Sequence, residues 1–354
     1  MTEATRARSD AREHVRGQVW EHGEPVDGFE LTTISEHLDV DGTLVWADIL
    51  RPTHETLAAL ADELELDPFA VEDAVAESER VKTVAYARHT FLTVYAVSLC
   101  AEARAATVPA TTSVEDLYRR NTSMFDIHRV SVFVRGNVMV TIRLDDGFDI
   151  GQVVDRWDEI GSVGNGVGAL VHGLLDVIVD GHFEAVQALD DAIEDIEGLL
   201  FDESISGKRL EHQTYRVRKD LVSLRRIILP MRDVIAAIQR RRLENKAPSD
   251  LDPHFSDLYD HALRAAEWTE SLRDMITTVF ETNLSMVDAR LNTVMKKLTG
   301  WAAIIAVPTA ITGFYGQNVP YPGIDQWWGF VISSALIVGI VALLYLQFRR
   351  KDWL

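Results

Sequence analysis

The stretch that decides the fold is Leu298–Phe314, LTGWAAIIAVPTAITGF, followed after a short loop by Trp327–Phe348, WWGFVISSALIVGIVALLYLQF. A helix needs about 20 apolar residues, at about 1.5 Å each, to cross a hydrocarbon core of about 30 Å. The second run meets that length. The first reaches it if Lys296 and Lys297 snorkel and Tyr315 extends it. Pro308 lies inside the first run, which a membrane helix tolerates when neighbouring helices cover the freed carbonyl. Lys296 and Lys297 precede the first run and Arg349, Arg350 and Lys351 follow the second, while Gly316–Gln326 has neither Lys nor Arg. That asymmetry predicts both termini in the cytoplasm and the loop outside. Trp301, Tyr321, Trp327, Trp328 and Trp353 suit the two interfacial belts. A plain tail anchor needs one span, not a tight pair.

Upstream, Pro253–Lys297 reads as unbroken helix, with Asp252 as cap and Pro253 at its first position. Apolar residues recur every seven at Leu258, Ala265, Leu272, Val279 and Met286, and an offset series runs through Trp268, Met275 and Ala289, interrupted by Thr282. Such a seam is either one face of a helical core or a stalk shared between subunits. From Pro253 to Phe314 the helix would measure about 90 Å, a length that favours an oligomer.

The first half alternates strands and helices. Thr43–Ile49, Thr90–Val97, Val130–Val134 and Val138–Ile142 are strand-like, the last two joined across Arg135-Gly136-Asn137 as a hairpin. Glu55–Leu64 and Pro68–Glu77 read as helices. Leu170–Phe201 is an acidic helix and Leu210–Arg242 a basic one, so two antiparallel helices of opposite charge are expected. The predicted divisions are a disordered segment over 1–21, an α+β cytosolic domain of αβα type over 22–168, an antiparallel helical arm over 169–251, a stalk helix over 252–297, spans over 298–315 and 327–348, an outside loop over 316–326, and a basic tail over 349–354.

Composition excludes several classes. The 354 residues carry 35 Lys+Arg against 55 Asp+Glu, a formal charge of -20. This argues against nucleic-acid binding, which depends on neutralising phosphates, and fits a body attractive to cations. Cys100 is the single cysteine, so no intrachain disulfide is possible and a reducing compartment is the simple reading. The polar N-terminus is not a signal peptide. No metal-hydrolase spacing, phosphate loop, nucleophile elbow or Cys-x-x-Cys occurs, so an enzyme is not expected. His254 and His261 share a helix without a third ligand nearby and read as surface residues.

Several ordered segments together resemble the CorA family of divalent-cation transporters over nearly the whole chain. They are Asp67-Pro68-Phe69-Ala70-Val71-Glu72-Asp73 followed by Arg80-Val81-Lys82, Leu229-Pro230-Met231-Arg232, Asp257-Leu258-Tyr259-Asp260-His261, Asn292–Leu298, the two spans, Tyr315-Gly316-Gln317-Asn318, and the tail ending Trp353-Leu354. The family's signature is Gly-Met-Asn; here Gln317 replaces the Met between Gly316 and Asn318.

The resemblance implies a homopentameric funnel in the bilayer that admits hydrated Mg²⁺ passively, with Co²⁺ or Ni²⁺ as further cargo, and no organic cofactor. It implies a selectivity filter at Gly316, Gln317 and Asn318, with pore positions at Asn292, Met295, Leu298, Ala302, Ala306 and Thr309. It also implies that intracellular Mg²⁺ bridges subunits at Glu72, Asp73 and Asp257 and holds the pore shut. Physical reasoning is compatible: Mg²⁺ sheds water reluctantly, Asp325 would concentrate cations near the mouth, and Met295 and Leu298 could close by dewetting. Locally, Gly316–Pro320 also reads as an ordinary turn, the alanines as helix packing, and the three acids as helix caps or surface residues. Gln317 leaves open a Zn²⁺ or other transition-metal transporter of the same superfamily. A membrane-anchored sensor or scaffold without transport is the reading from another class.

Overall fold

The computed structural model describes residues 14–26, 28–100, 123–160, 165–201, 207–317, 323, 326–351 and 353. It divides into two units, Met1–Thr277 and Thr278–Leu354.

The first unit is built on a seven-stranded sheet of order β2-β1-β3-β7-β6-β5-β4. The strands are β1 (His14–Glu21), β2 (Glu24–Val26), β3 (Thr43–Leu50), β4 (Lys82–Ala85), β5 (Thr90–Leu99), β6 (Phe125–Arg135) and β7 (Val138–Arg143). All neighbours pair antiparallel except β3 and β7, which are parallel. The expected β6–β7 hairpin is present: Arg135 pairs Val138 across Gly136-Asn137, and Gly136 takes the positive φ that such a turn demands.

Alternation along β3 sends Val45, Ala47 and Ile49 to one face, where they join Leu57, Leu60 and Leu64 of α1 (His54–Glu63) and its end, and Ala70 and Ala74 of α2 (Pro68–Val75). On the other face Trp46 meets the edge of Trp157 from α3 (Gly151–Ile160) at 5.0 Å. Beyond α3 lie two long helices, α4 (Val167–Leu200) and α5 (Gly207–Glu244). Gly181 lets α4 run close to β5, since a Cβ there would come within 2.9 Å of the Val97 carbonyl. Helices thus cover both faces of a mixed sheet, the expected αβα arrangement.

One expectation is corrected. Residues 1–21 read as disordered, yet residues 14–21 form β1, paired along β3 from His14 to Glu21. Polar residues there hide a strand whose burial comes from across the sheet: Arg16 lies 5.3 Å over the Trp46 ring and Trp20 packs edge-on to Trp157 at 6.2 Å. Also unread were the short strands β2 and β4, the helical turn over Leu31–His37, and α3.

The helix α6 spans Asp252–Tyr315 without a break. Within the first unit its buried residues are Phe255, Leu258, Ala262, Ala265, Ala266, Thr269, Leu272 and Ile276. The series Leu258, Ala265, Leu272 is as read, but its companion is Phe255, Ala262, Thr269 and Ile276, not Trp268 and Met275. Thr269 can sit in the seam because its hydroxyl donates to the Ala265 carbonyl at 2.7 Å. The seam packs against α4 through His172 and Phe255, rings 5.3 Å apart, and against α5 through Arg225 and Glu270 at 2.5 Å. The second unit holds the rest of α6 and α7 (Trp327–Arg350).

Candidate ion conduit and carboxylate sites

Both spans are long and apolar enough to cross a membrane, and most of their residues are uncovered in the single chain. On α6, at about 100° per residue, Asn292, Met295, Leu298, Ala302, Ala306 and Thr309 fall within an arc of about 120°. All six are exposed, Met295 and Leu298 at 57% and 62%. Gly300, Ile304, Val307, Ile311 and Tyr315, flanked by Ala303 and Pro308, are the better-covered residues and lie outside that arc. The six therefore share a continuous stripe that the described residues leave exposed.

Helix α6 continues through Pro308. Two hydroxyls bond to the backbone around this point: Thr309 donates to the Ile305 carbonyl at 3.0 Å and Thr312 to the Pro308 carbonyl at 2.8 Å. With its proton committed inward, Thr309 offers outward only lone pairs, the polarity a cation needs. The helix ends as the Gly316 N–H bonds the Thr312 carbonyl at 2.8 Å and the Gln317 N–H the Phe314 carbonyl at 3.3 Å. Asn318, Tyr321 and Asp325 lie outside the described residues. At the other end of the unit the Trp353 ring stacks on Phe348 at 5.5 Å, beside Arg349 and Arg350.

The carboxylates named from sequence occupy two elements. Asp67 caps α2 by accepting from the Phe69 N–H at 2.9 Å, with Pro68 at the first position. One turn on, Glu72 is exposed and Asp73 half-buried. Asp73 does not stand alone: the Lys82 ammonium lies 2.6 Å from it and 3.2 Å from Glu79. Burial pulls the Lys82 pKa down, but the hydrogen bonds it donates to Asp73 and Glu79 and the charge of both carboxylates outweigh this and leave the pKa raised. Glu79 is in turn fixed by Tyr95, whose hydroxyl donates to the Glu79 carbonyl. Sequence reading quoted Lys82 as part of a motif but missed this pairing, which needs the unread strand β4. Asp257 is 72% exposed on α6 and 3.8 Å from His261. Among the described residues no three His, Cys, Asp or Glu side chains form a metal-holding group. The chain alone does not gather Glu72, Asp73 and Asp257 into one site.

A mixed α/β body, one continuous helix leading out of it and two helices long and apolar enough to cross a membrane define the class of integral membrane proteins with a large water-exposed domain. The sequence model of the "CorA-like Mg2+ transporter protein" family matches residues 41–350, and the chain belongs to that family of divalent-metal-ion transporters; it is not an enzyme. The cobalt/magnesium transport protein CorA of Methanocaldococcus jannaschii is 26% identical over 318 residues, 89% of this chain and 92% of that one. The protein of the same name from Thermotoga maritima is 31% identical over 186 residues, 52% of either chain. Among solved structures, the complete CorA magnesium transporter of Methanocaldococcus jannaschii superposes with a TM-score of 0.70 at 21% identity, covering 96% of this chain and 98% of that one. Full-length CmaX gives 0.68 at 22%, covering 97% and 99%.

Proposed function

We propose that the protein is a homopentameric channel that passes hydrated Mg²⁺ inward down its electrochemical gradient and closes when internal Mg²⁺ bridges subunits. The observation that carries this is the stripe Asn292–Thr309: six residues on one helical face, uncovered within the chain and suited to facing a shared axis. A ring of Asn318 amides at the outer end of α6 would offer oxygens to an ion that keeps its water. Thr309 presents lone pairs below it, and Met295 and Leu298 form an apolar constriction that gates by dewetting. With both termini in the cytoplasm, two charges crossing 100 mV gain about 4.6 kcal/mol, so no ATP is needed.

Assembly is supported by a second stripe. Phe280, Leu284, Val287, Leu291 and Val294 are all exposed, at alternating spacings of four and three, the pattern of a helix seam waiting for a partner helix. Regulation rests on Glu72, Asp73 and Asp257, carboxylates that a divalent cation would bridge across an interface between copies.

The test is Mg²⁺ flux into liposomes carrying the full-length protein, with Zn²⁺ as competitor. Asn318→Ala is expected to cut Mg²⁺ flux at least tenfold; unchanged flux would reject the filter. Gln317, in place of the family's usual Met, leaves open the second reading, a Zn²⁺ or other transition-metal transporter, and stronger flux of Zn²⁺ than of Mg²⁺ would establish it instead.

A further inference from the structure

The first unit contains a cavity of about 1120 Å³ bounded by the β4–β5 and β6–β7 turns, the start of α4 and the end of α5. It shares no residue with the proposed conduit or carboxylate sites. Its inner wall is positive. Gly168, in the first turn of α4, faces the Arg242 guanidinium so closely that a Cβ there would come within 2.5 Å of Nη1. Helix α4 is 34 residues long, and its N-cap, Gly166, supplies no side-chain cap. The positive end of its dipole therefore lies beside a cation, with the Ala169 N–H already bonded to the Gly166 carbonyl at 2.9 Å. That is the wrong electrostatic order for a helix N-terminus unless an anion lies between.

Arg242 is held in place by the Pro248 carbonyl at 2.7 Å, by Asp252 at 3.4 Å and by the Phe255 ring at 4.9 Å, yet its Nε is buried without a hydrogen-bond partner. Arg241 is half-buried on the same wall, and its guanidinium makes no hydrogen bond or ion pair to a described residue. His89 also lines the cavity; it is 3% exposed and its Nε2 is unpartnered. Burial lowers the His89 pKa; Asp67 opposes this, and the fields of Arg135 and Arg241 reinforce it. The carboxylates on the lining, Asp39, Asp41, Glu244 and Asp250, are all exposed, where water and salt screen them. Val171 and Ile238 add an apolar wall.

We propose that this cavity binds an organic phosphate of nucleotide size, with its phosphates against Arg241, Arg242 and the first turn of α4. Arginine forks and helix N-termini are the two protein groups best matched to phosphate oxygens. The volume suits a nucleotide-sized ligand, and the apolar wall gives its non-phosphate part somewhere to lie.

The test is equilibrium dialysis of labelled ATP against the full-length protein in detergent, with Mg²⁺ removed by chelation and inorganic phosphate as competitor. Saturable binding is expected, weakened at least tenfold by Arg241→Gln and unchanged by Arg226→Gln, an exposed arginine elsewhere on α5. Matched melting temperatures check that each variant is folded. The proposal is overturned by absence of saturable ATP binding, by equal affinity in wild type and Arg241→Gln, by equal weakening in Arg226→Gln, or by inorganic phosphate competing as well as ATP.

Discussion

At the scale of single residues, Lys82 changes what the acidic cluster on α2 means. Two carboxylates near each other need a counter-charge, and the chain supplies one, since the Lys82 ammonium touches both Asp73 and Glu79. A divalent ion arriving at Asp73 must compete with this tethered cation. Lys82→Met is therefore expected to lower, by roughly tenfold, the internal Mg²⁺ concentration that half-closes the channel, a shift worth about 1.4 kcal/mol. Mg²⁺ uptake at fixed internal Mg²⁺ measures it. An unchanged midpoint, in a protein whose gating Asp73→Asn does abolish, would reject the competition while leaving the regulatory site standing. The acids themselves were legible in the sequence, because Asp67-Pro68 marks a helix start and fixes where Glu72 and Asp73 fall. Their partner was not, because Lys82-Thr83-Val84-Ala85 is too short a strand to announce itself and gains its place only by pairing with β5.

At the scale of elements, α4 carries a latent acid sensitivity. His182 is buried, its Nε2 is 2.8 Å from the Tyr95 carbonyl, and burial, partly offset by that bond, lowers its pKa to about 4. His172, on the same helix, is shifted the same way by burial. A histidine whose folded pKa lies below its unfolded value of about 6.5 adds stability above 6.5. That stability drains away as pH falls toward 4, because the unfolded chain takes up the proton first. For His182 the loss is roughly 3 kcal/mol over that window. The melting temperature of the full-length protein should fall between pH 6.5 and 4.5, and His182→Gln should flatten that slope; equal slopes would exclude His182 as its source. Apart from α3, the α-helices were readable to within a few residues from caps and periodicity. The seam on α6 was read with one true series and one false companion, because sequence counts Thr269 as polar whereas its back-bonded hydroxyl lets it pack as an apolar residue. Strand β1 was missed for the converse reason: its polar residues pack across the sheet on aromatic rings that sequence cannot place nearby.

At the scale of the whole molecule, the single chain leaves a long apolar surface exposed. The spans are the most legible feature of the sequence, since length and apolarity suffice to identify them. What they assemble into depends on surfaces that no single copy covers. Phe280, Leu284, Val287, Leu291 and Val294 lie ahead of the first span, where lipid is not expected to shelter them. Water would penalise such a stripe by about 25 cal/mol for each Å² left bare, so another copy of α6 is the natural cover. Leu284→Glu places a charge in that seam, and burying it unpaired costs several kcal/mol per copy. The expected outcome is dissociation to smaller species in native mass spectrometry of the detergent-solubilised protein, with loss of Mg²⁺ flux. Ser285→Glu, an exposed change on the opposite face of the same helix, should leave the assembly intact. If Leu284→Glu ran at the wild-type mass, the stripe would not be the subunit seam. Asn292–Thr309 would then lose its claim to a common axis, because six residues on one helical face line a conduit only when neighbouring copies hold that face inward.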